Sequence, residues 1–186
     1  MIKTLTALLV GIGLIHPALT LGQDTKSPDI GNRWGKYLAS LQEPDIARTG
    51  DGRDVWRVLW LRSFHPAVAV RVVRDGDSVS IITSQLRPLD SARTALRRDS
   101  MPVPLAVWDD IHRTNAARDI WTTVAPPWEG VGLDGALWIL ETREGNRYHA
   151  VEWWSPTERP DSYGYRMLVL QILSMGGIRV PPDAVY

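Results

Sequence analysis

The chain has no cysteine, no charge excess of either sign and almost no lysine. The missing cysteines exclude a disulfide framework, a zinc-thiolate module, a cysteine nucleophile and a lipoprotein anchor. Its 21 basic side chains balance 21 acidic ones. With no basic surplus to neutralise phosphates, the balance argues against a dedicated nucleic-acid binder. The G-x-S-x-G, H-E-x-x-H, Walker and dinucleotide signatures are all missing. What is present is ordinary for a globular protein, with 44% hydrophobic and 23% charged residues among 186. That composition rules out collagen and a coiled coil.

Residues 1–22 read as a secretory signal peptide. Lys3 supplies the positive end, residues 5–15 form the apolar stretch, and His16-Pro17 breaks it. The stretch is shorter than the ~20 residues a span needs. Thr20 and Gly22 place small residues before a cleavage that would leave Gln23 first. The other reading is an uncleaved N-terminal anchor. No other stretch is long and apolar enough to span a membrane. Arginine outnumbers lysine 18 to 3. This fits either bidentate anion recognition or the codon bias of a GC-rich bacterial genome. The expectation is a periplasmic or secreted bacterial protein.

Past the signal, residues 23–52 read as a polar leader with one short helix at 34–41, where Trp34, Leu38 and Leu41 share a stripe. Residues 53–180 read as a single α+β domain, and 181–186 as a tail. Strands are expected at 55–62, 67–74 and 79–84. Trp56, Val58 and Trp60 line one face of the first, with Val55, Leu59 and Leu61 on the other. A strand apolar on both faces belongs inside a covered sheet. Arg71 and Arg74 are read as flanking an edge, and Asp75-Gly76 as a hairpin turn. Residues 94–98 fit a strand or a short helix. Residues 105–117 fit a helix, and 120–128 a loop. Strands at 136–143 and 147–154 form the clearest hairpin: a Gly145-Asn146 turn pairs Trp138 with Trp153, Leu140 with Val151 and Thr142 with His149. Residues 163–175 form a largely apolar helix ended by Gly176-Gly177. Strands in runs with intervening helices predict an antiparallel sheet of about five strands with two or three packed helices.

Chemistry rests on few side chains. His65, in the turn between two strands, is either a general base or a histidine fixing the turn. His112 reads as a core-edge residue and His149 as packed against Trp138 and Trp153. The three histidines match no metal spacing, and no metal or cofactor is implied. Glu141 and Glu152 fall on one face of the hairpin as a diagonal pair, with Cβ atoms about 7 Å apart. Such a pair can divide acid and base roles, as in glycoside hydrolysis, or sit on arginines or in water. Of nine tryptophans, Trp56, Trp60, Trp108, Trp138 and Trp153 read as core. Trp34, Trp121, Trp128 and Trp154 are freer. Trp121 and Trp128 flank Pro126-Pro127 beside Glu129, and this loop is the expected contact surface.

Leu59-Trp60-Leu61-Arg62-Ser63-Phe64-His65-Pro66 and Gly132-Leu133-Asp134-Gly135-Ala136-Leu137-Trp138-Ile139-Leu140-Glu141 together resemble a family of small exported bacterial proteins of unknown function. The resemblance implies export and a single α+β domain. It draws attention to His65 and Asp134, although Asp134 also suits a turn opening the hairpin. The functional expectation is a non-enzymatic binding or inhibitory module for an extracytoplasmic protein or envelope glycan. The rivals are a small cell-envelope hydrolase using Glu141, Glu152 or His65, and a structural envelope component.

Overall fold

The computed structural model describes residues 28–90, 93–116, 119–127 and 134–180. The segment read as a signal peptide, the residues read as a tail, Trp128 and Glu129 lie outside the described residues. Helix α1 (Ile30–Ser40) comes first, followed by β1 (Asp54–Arg62), β2 (Val68–Asp75), β3 (Ser78–Pro88) and β4 (Thr94–Val103). Then come α2 (Leu105–Ala116), a 3₁₀ turn at Ile120–Thr122, β5 (Ala136–Glu144), β6 (Arg147–Trp154) and α3 (Pro160–Met175). The strands make one antiparallel sheet in the order β4-β3-β2-β1-β5-β6. The architecture is a single α+β domain.

The period-2 alternation of the strands divides the core between two faces. One face carries Trp56, Val58 and Trp60 of β1, Val68, Val70 and Val72 of β2, and Trp138 and Leu140 of β5, packed against α2 and α3. Tyr165 of α3 donates its hydroxyl to the Trp138 carbonyl at 2.6 Å. Burial pushes that phenol's pKa well up. Gly176, just past α3, is needed for close approach: a Cβ there would stand 2.6 Å from Val70. The other face carries Leu59, Leu61, Ala69 and Ile139 under Ile30, Leu38 and Leu41. A smaller cluster of Ile46, Val55 and Val73 continues it. The helix expected in the leader is therefore an integral layer. It begins four residues earlier than its apolar stripe suggested, because Asp29 caps it by accepting the Asn32 N–H at 3.0 Å.

The hairpin register matches the two-residue turn: Trp138 pairs with Trp153, Leu140 with Val151 and Thr142 with His149. Trp56, Trp60, Trp108, Trp138 and Trp153 are all buried. Three features differ from the sequence reading. The sheet has six strands, because residues 94–103 form an edge strand. Most of its side chains face solvent, so it has little apolar period to betray it, and its Pro102 is tolerated at an edge. Arg71 does not flank an edge. It lies inside β2, the sheet's third strand, 6% exposed. Helix α3 starts at Pro160, which suits a first turn, and leaves Tyr163 and Met167 exposed.

Candidate functional site

The α1 face of the sheet is where charge and aromatic groups gather. An 11-residue helix cannot cover six strands, so residues 41–48 finish the layer and bring Glu43 down onto the sheet. There Glu43 and Arg57 are buried with Arg71, Ser84 and Glu141. Arg57 donates from Nε to Glu141 at 2.8 Å and from Nη2 to the same oxygen at 2.5 Å. Its Nη1 donates to the Pro44 carbonyl at 2.5 Å. Arg71 donates to Glu43 at 2.9 Å, and Ser84 donates to the other Glu43 oxygen at 3.0 Å. Tyr148 donates to the second Glu141 oxygen at 2.9 Å. Burial, then Glu141, push the Tyr148 hydroxyl pKa up. Burial pulls the Arg71 pKa down, opposed by Glu43. Two guanidiniums and two carboxylates thus balance, and the chain of donors and acceptors closes on itself. This arrangement clamps residues 41–48 to the sheet.

Glu152, the diagonal neighbour of Glu141, belongs to a different place. It lies toward the opposite end of the face, where a cleft of about 580 Å³ opens between α1, the end of β1 and the β5–β6 hairpin. This size falls within the ~300–1,000 Å³ of small-ligand pockets. Trp34, Tyr37 and Trp154 are its aromatic walls, and Pro126 and Pro127 close one side. Glu152 accepts from Trp34 Nε1 at 2.9 Å and pairs with Arg33 Nη1 at 2.7 Å. Its side chain is 10% exposed, against 60% for Arg33. The Arg33 guanidinium lies 5.5 Å from the Trp34 ring centre. Arg62, also in the lining, stacks on Trp60 at 4.1 Å. The rim is tied by Ser63, which donates N–H and hydroxyl to the Gly135 carbonyl at 3.0 and 3.1 Å, and by Ser155 Oγ accepting the Ala136 N–H at 3.0 Å. Gly135 has no room for a side chain: a Cβ would stand 2.5 Å from Trp154.

The candidates read from sequence disperse over the molecule. Glu141 and Glu152 share a face and a diagonal register, but separate donors occupy the oxygens of each. His65 is exposed in the turn after β1, its N–H on the Arg62 carbonyl at 3.5 Å. Phe64 beside it is 74% exposed. His112 stands 3.1 Å from Glu144 and packs on Trp56 and Trp108. Burial pushes the Glu144 carboxyl pKa up, opposed by His112. His149 meets the Thr123 carbonyl at 3.1 Å and packs beside Trp121. Burial pulls its imidazole pKa down. Trp121 is half-buried, edge-on to Trp56 and covered by Arg147 at 4.2 Å. Asp134 is exposed at the start of the hairpin. Among the described residues no three His, Asp or Glu side chains gather to hold a metal ion, and no helix is long and apolar enough to cross a membrane.

The sequence reading missed Arg33, Tyr37 and Arg62 as cleft residues. They come from two segments far apart in sequence, so no motif joins them. Arg57 and Arg71 did carry a signal: a charge amid an otherwise apolar buried strand requires a partner. No protein-family model and no curated protein matches this chain.

Proposed function

We propose that the protein is an exported bacterial binding module, non-enzymatic, whose ligand occupies the cleft between α1 and the β5–β6 hairpin. One observation carries this reading. An aromatic-walled cleft holds an exposed guanidinium, Arg33, fixed by an almost buried carboxylate, Glu152. Few convergent polar groups in an apolar concavity are what a ligand site needs. The same geometry speaks against the carboxylate-pair hydrolase. Glu141 is held by Arg57 and Tyr148, and Glu152 by Arg33 and Trp34. Each carboxylate already accepts hydrogen bonds from other side chains, and Glu141 is fully buried, out of reach of a substrate bond. The expected residence is the periplasm or the medium, following the signal peptide read at residues 1–22.

The test is a screen of the purified protein on peptide and oligosaccharide arrays, repeated with Trp34→Ala and Arg33→Gln. The reading predicts a ligand class retained intact on the array and lost with both variants. Binding that survives both variants, or array spots cleaved during incubation, would overturn it.

A further inference from the structure

We infer that β4 is a self-recognition edge: two copies of the chain pair antiparallel through residues 94–102 into one continuous sheet. β4 ends the sheet, and among the described residues no strand pairs with its outer side. The hydrogen bonds show which groups that side offers. Leu86 donates its N–H to the Ala67 carbonyl on the β2 side at 3.1 Å, and Leu89 donates to the Arg93 carbonyl at 2.9 Å. Even-numbered residues of β3 therefore bond toward β2, and odd-numbered ones toward β4. With β3 and β4 in register from Val79↔Val103 to Pro88↔Thr94, the odd-numbered residues of β4 bond to β3. The alternation of an antiparallel ladder then turns the N–H and C=O of Thr94, Leu96, Arg98 and Ser100 outward. Pro102 falls in this outward set, where no donor to β3 is required. The register runs without a bulge, and the outer row of β4 is an open template.

The side chains decide which strand fits it. A two-fold axis normal to the sheet keeps each side chain on its own face, so odd-numbered residues meet odd-numbered ones. With Arg98 on the axis, Arg97 faces Asp99 of the second copy and Asp99 faces its Arg97. Two opposite-charge pairs then close across the seam. Ala95 faces the second copy's Met101, a side chain 45% exposed in the single chain. Moving the axis to position 97 or 99 sets Arg97 on Arg97 or Asp99 on Asp99 and loses both pairs. In the single chain Arg97 and Asp99 bond each other at 2.7 Å and stand 53% and 59% exposed, so both are at the surface to be shared. Arg98 meets its own copy on the axis, and its guanidinium is drawn away to the Gln42 carbonyl at 2.5 Å. These charges turn away a strand that lacks the complementary pattern, which favours a second copy over an unrelated partner.

The experiment is analytical ultracentrifugation of the purified protein from roughly 1 µM to 1 mM. Reversible exchange between monomer and dimer is expected, since one strand pair is a small interface. Arg97→Asp and Asp99→Arg should each weaken self-association roughly ten- to hundredfold, because each replaces both attractive pairs by repulsive ones. An equimolar mixture of the two variants should associate again, because the seam then joins an acidic strand to a basic one. The chain has no cysteine, so Arg98→Cys reports the axis. Its two Cα atoms would stand about 5.5 Å apart, within disulfide reach, whereas two copies of Ser100→Cys would lie about 13 Å apart along the strands. Mild oxidation should couple the first and leave the second uncoupled. Hydrogen exchange at Leu96, Arg98 and Ser100 should slow only as the dimer forms. A chain monomeric at every concentration would overturn the proposal and leave the edge to a strand of another protein. A dimer indifferent to both charge variants, a mixture that stays monomeric, or equal coupling at both positions would overturn it too. Amides slow at every concentration would overturn it by showing that the chain covers its own edge.

Discussion

Replacing Glu141 by leucine should cost stability and leave ligand binding unharmed in whatever fraction stays folded. Glu141 is fully buried and takes two bonds from Arg57 and one from Tyr148. Without it, Arg57 keeps only the Pro44 carbonyl and a longer contact to Glu43 at 3.7 Å. Two buried guanidiniums then share one carboxylate. Breaking a buried pair from one side costs about 3–5 kcal/mol. For a domain of this size that lowers the melting temperature by roughly 6–20 °C. The double variant Arg57→Met with Glu141→Leu removes both charges and leaves Glu43 with Arg71 as a neutral pair. It should cost no more than Glu141→Leu alone: Tyr148 loses its partner in both, so the double variant adds only the loss at the Pro44 carbonyl, at about 1–3 kcal/mol, and removes the unpaired buried guanidinium that dominates the single variant. Glu152→Gln, whose partner Arg33 is exposed, should cost under about 1 kcal/mol. Urea denaturation followed by tryptophan fluorescence measures these four chains and Arg57→Met alone, which completes the double-mutant cycle. A loss below about 1 kcal/mol for Glu141→Leu, or additive losses in the double variant, would refute the view that these charges form one closed network.

Gly135→Ala should destabilise by about 1–3 kcal/mol, because the new methyl meets Trp154; it should also weaken ligand binding by shifting that wall, which calorimetry with any array hit would record. The His149 imidazole is held neutral by burial, so the unfolded chain takes up its proton first, and stability should fall as pH drops below about 6.5. His149→Gln should flatten that part of the stability–pH curve. For Glu144 the sign is reversed: its carboxyl pKa is raised by burial, so its contribution is full at low pH and declines as pH rises through the folded-state value. Stability of Glu144→Gln relative to the unaltered protein should therefore rise across that window in denaturant titrations at stepped pH.

Much of the sheet was legible because its cues are local. The Gly145-Asn146 turn fixed the β5–β6 register, and the two-sided apolar pattern of residues 55–61 placed β1 inside the sheet. Strand β4 was ambiguous because an edge strand facing solvent needs no alternation. The start of α1 was hidden by Gly31 and Gly35, poor helix formers, and shows itself only through the Asp29 cap. The site was legible residue by residue but not as a place. Glu152 and Trp34 could each be singled out, yet their hydrogen bond joins residues 118 positions apart, and one sequence holds no local signal for that meeting. The diagonal carboxylates show the converse. Register put Glu141 and Glu152 on one face, but only the positions of Arg57 and Arg33 decide that one clamps a loop and the other lines a cleft.

The cleft can be put to the test through its own tryptophans. The nine indole N–H groups give separate cross-peaks in a nitrogen–proton correlation spectrum, assignable by single substitutions. On titration with a ligand found on the arrays, the Trp34 and Trp154 peaks should move together and saturate, while buried Trp108 stays fixed, and Arg33→Gln should abolish the movement. Saturable binding that leaves Trp34 and Trp154 unmoved, or that shifts Trp121 instead, would place the ligand elsewhere and contradict the account.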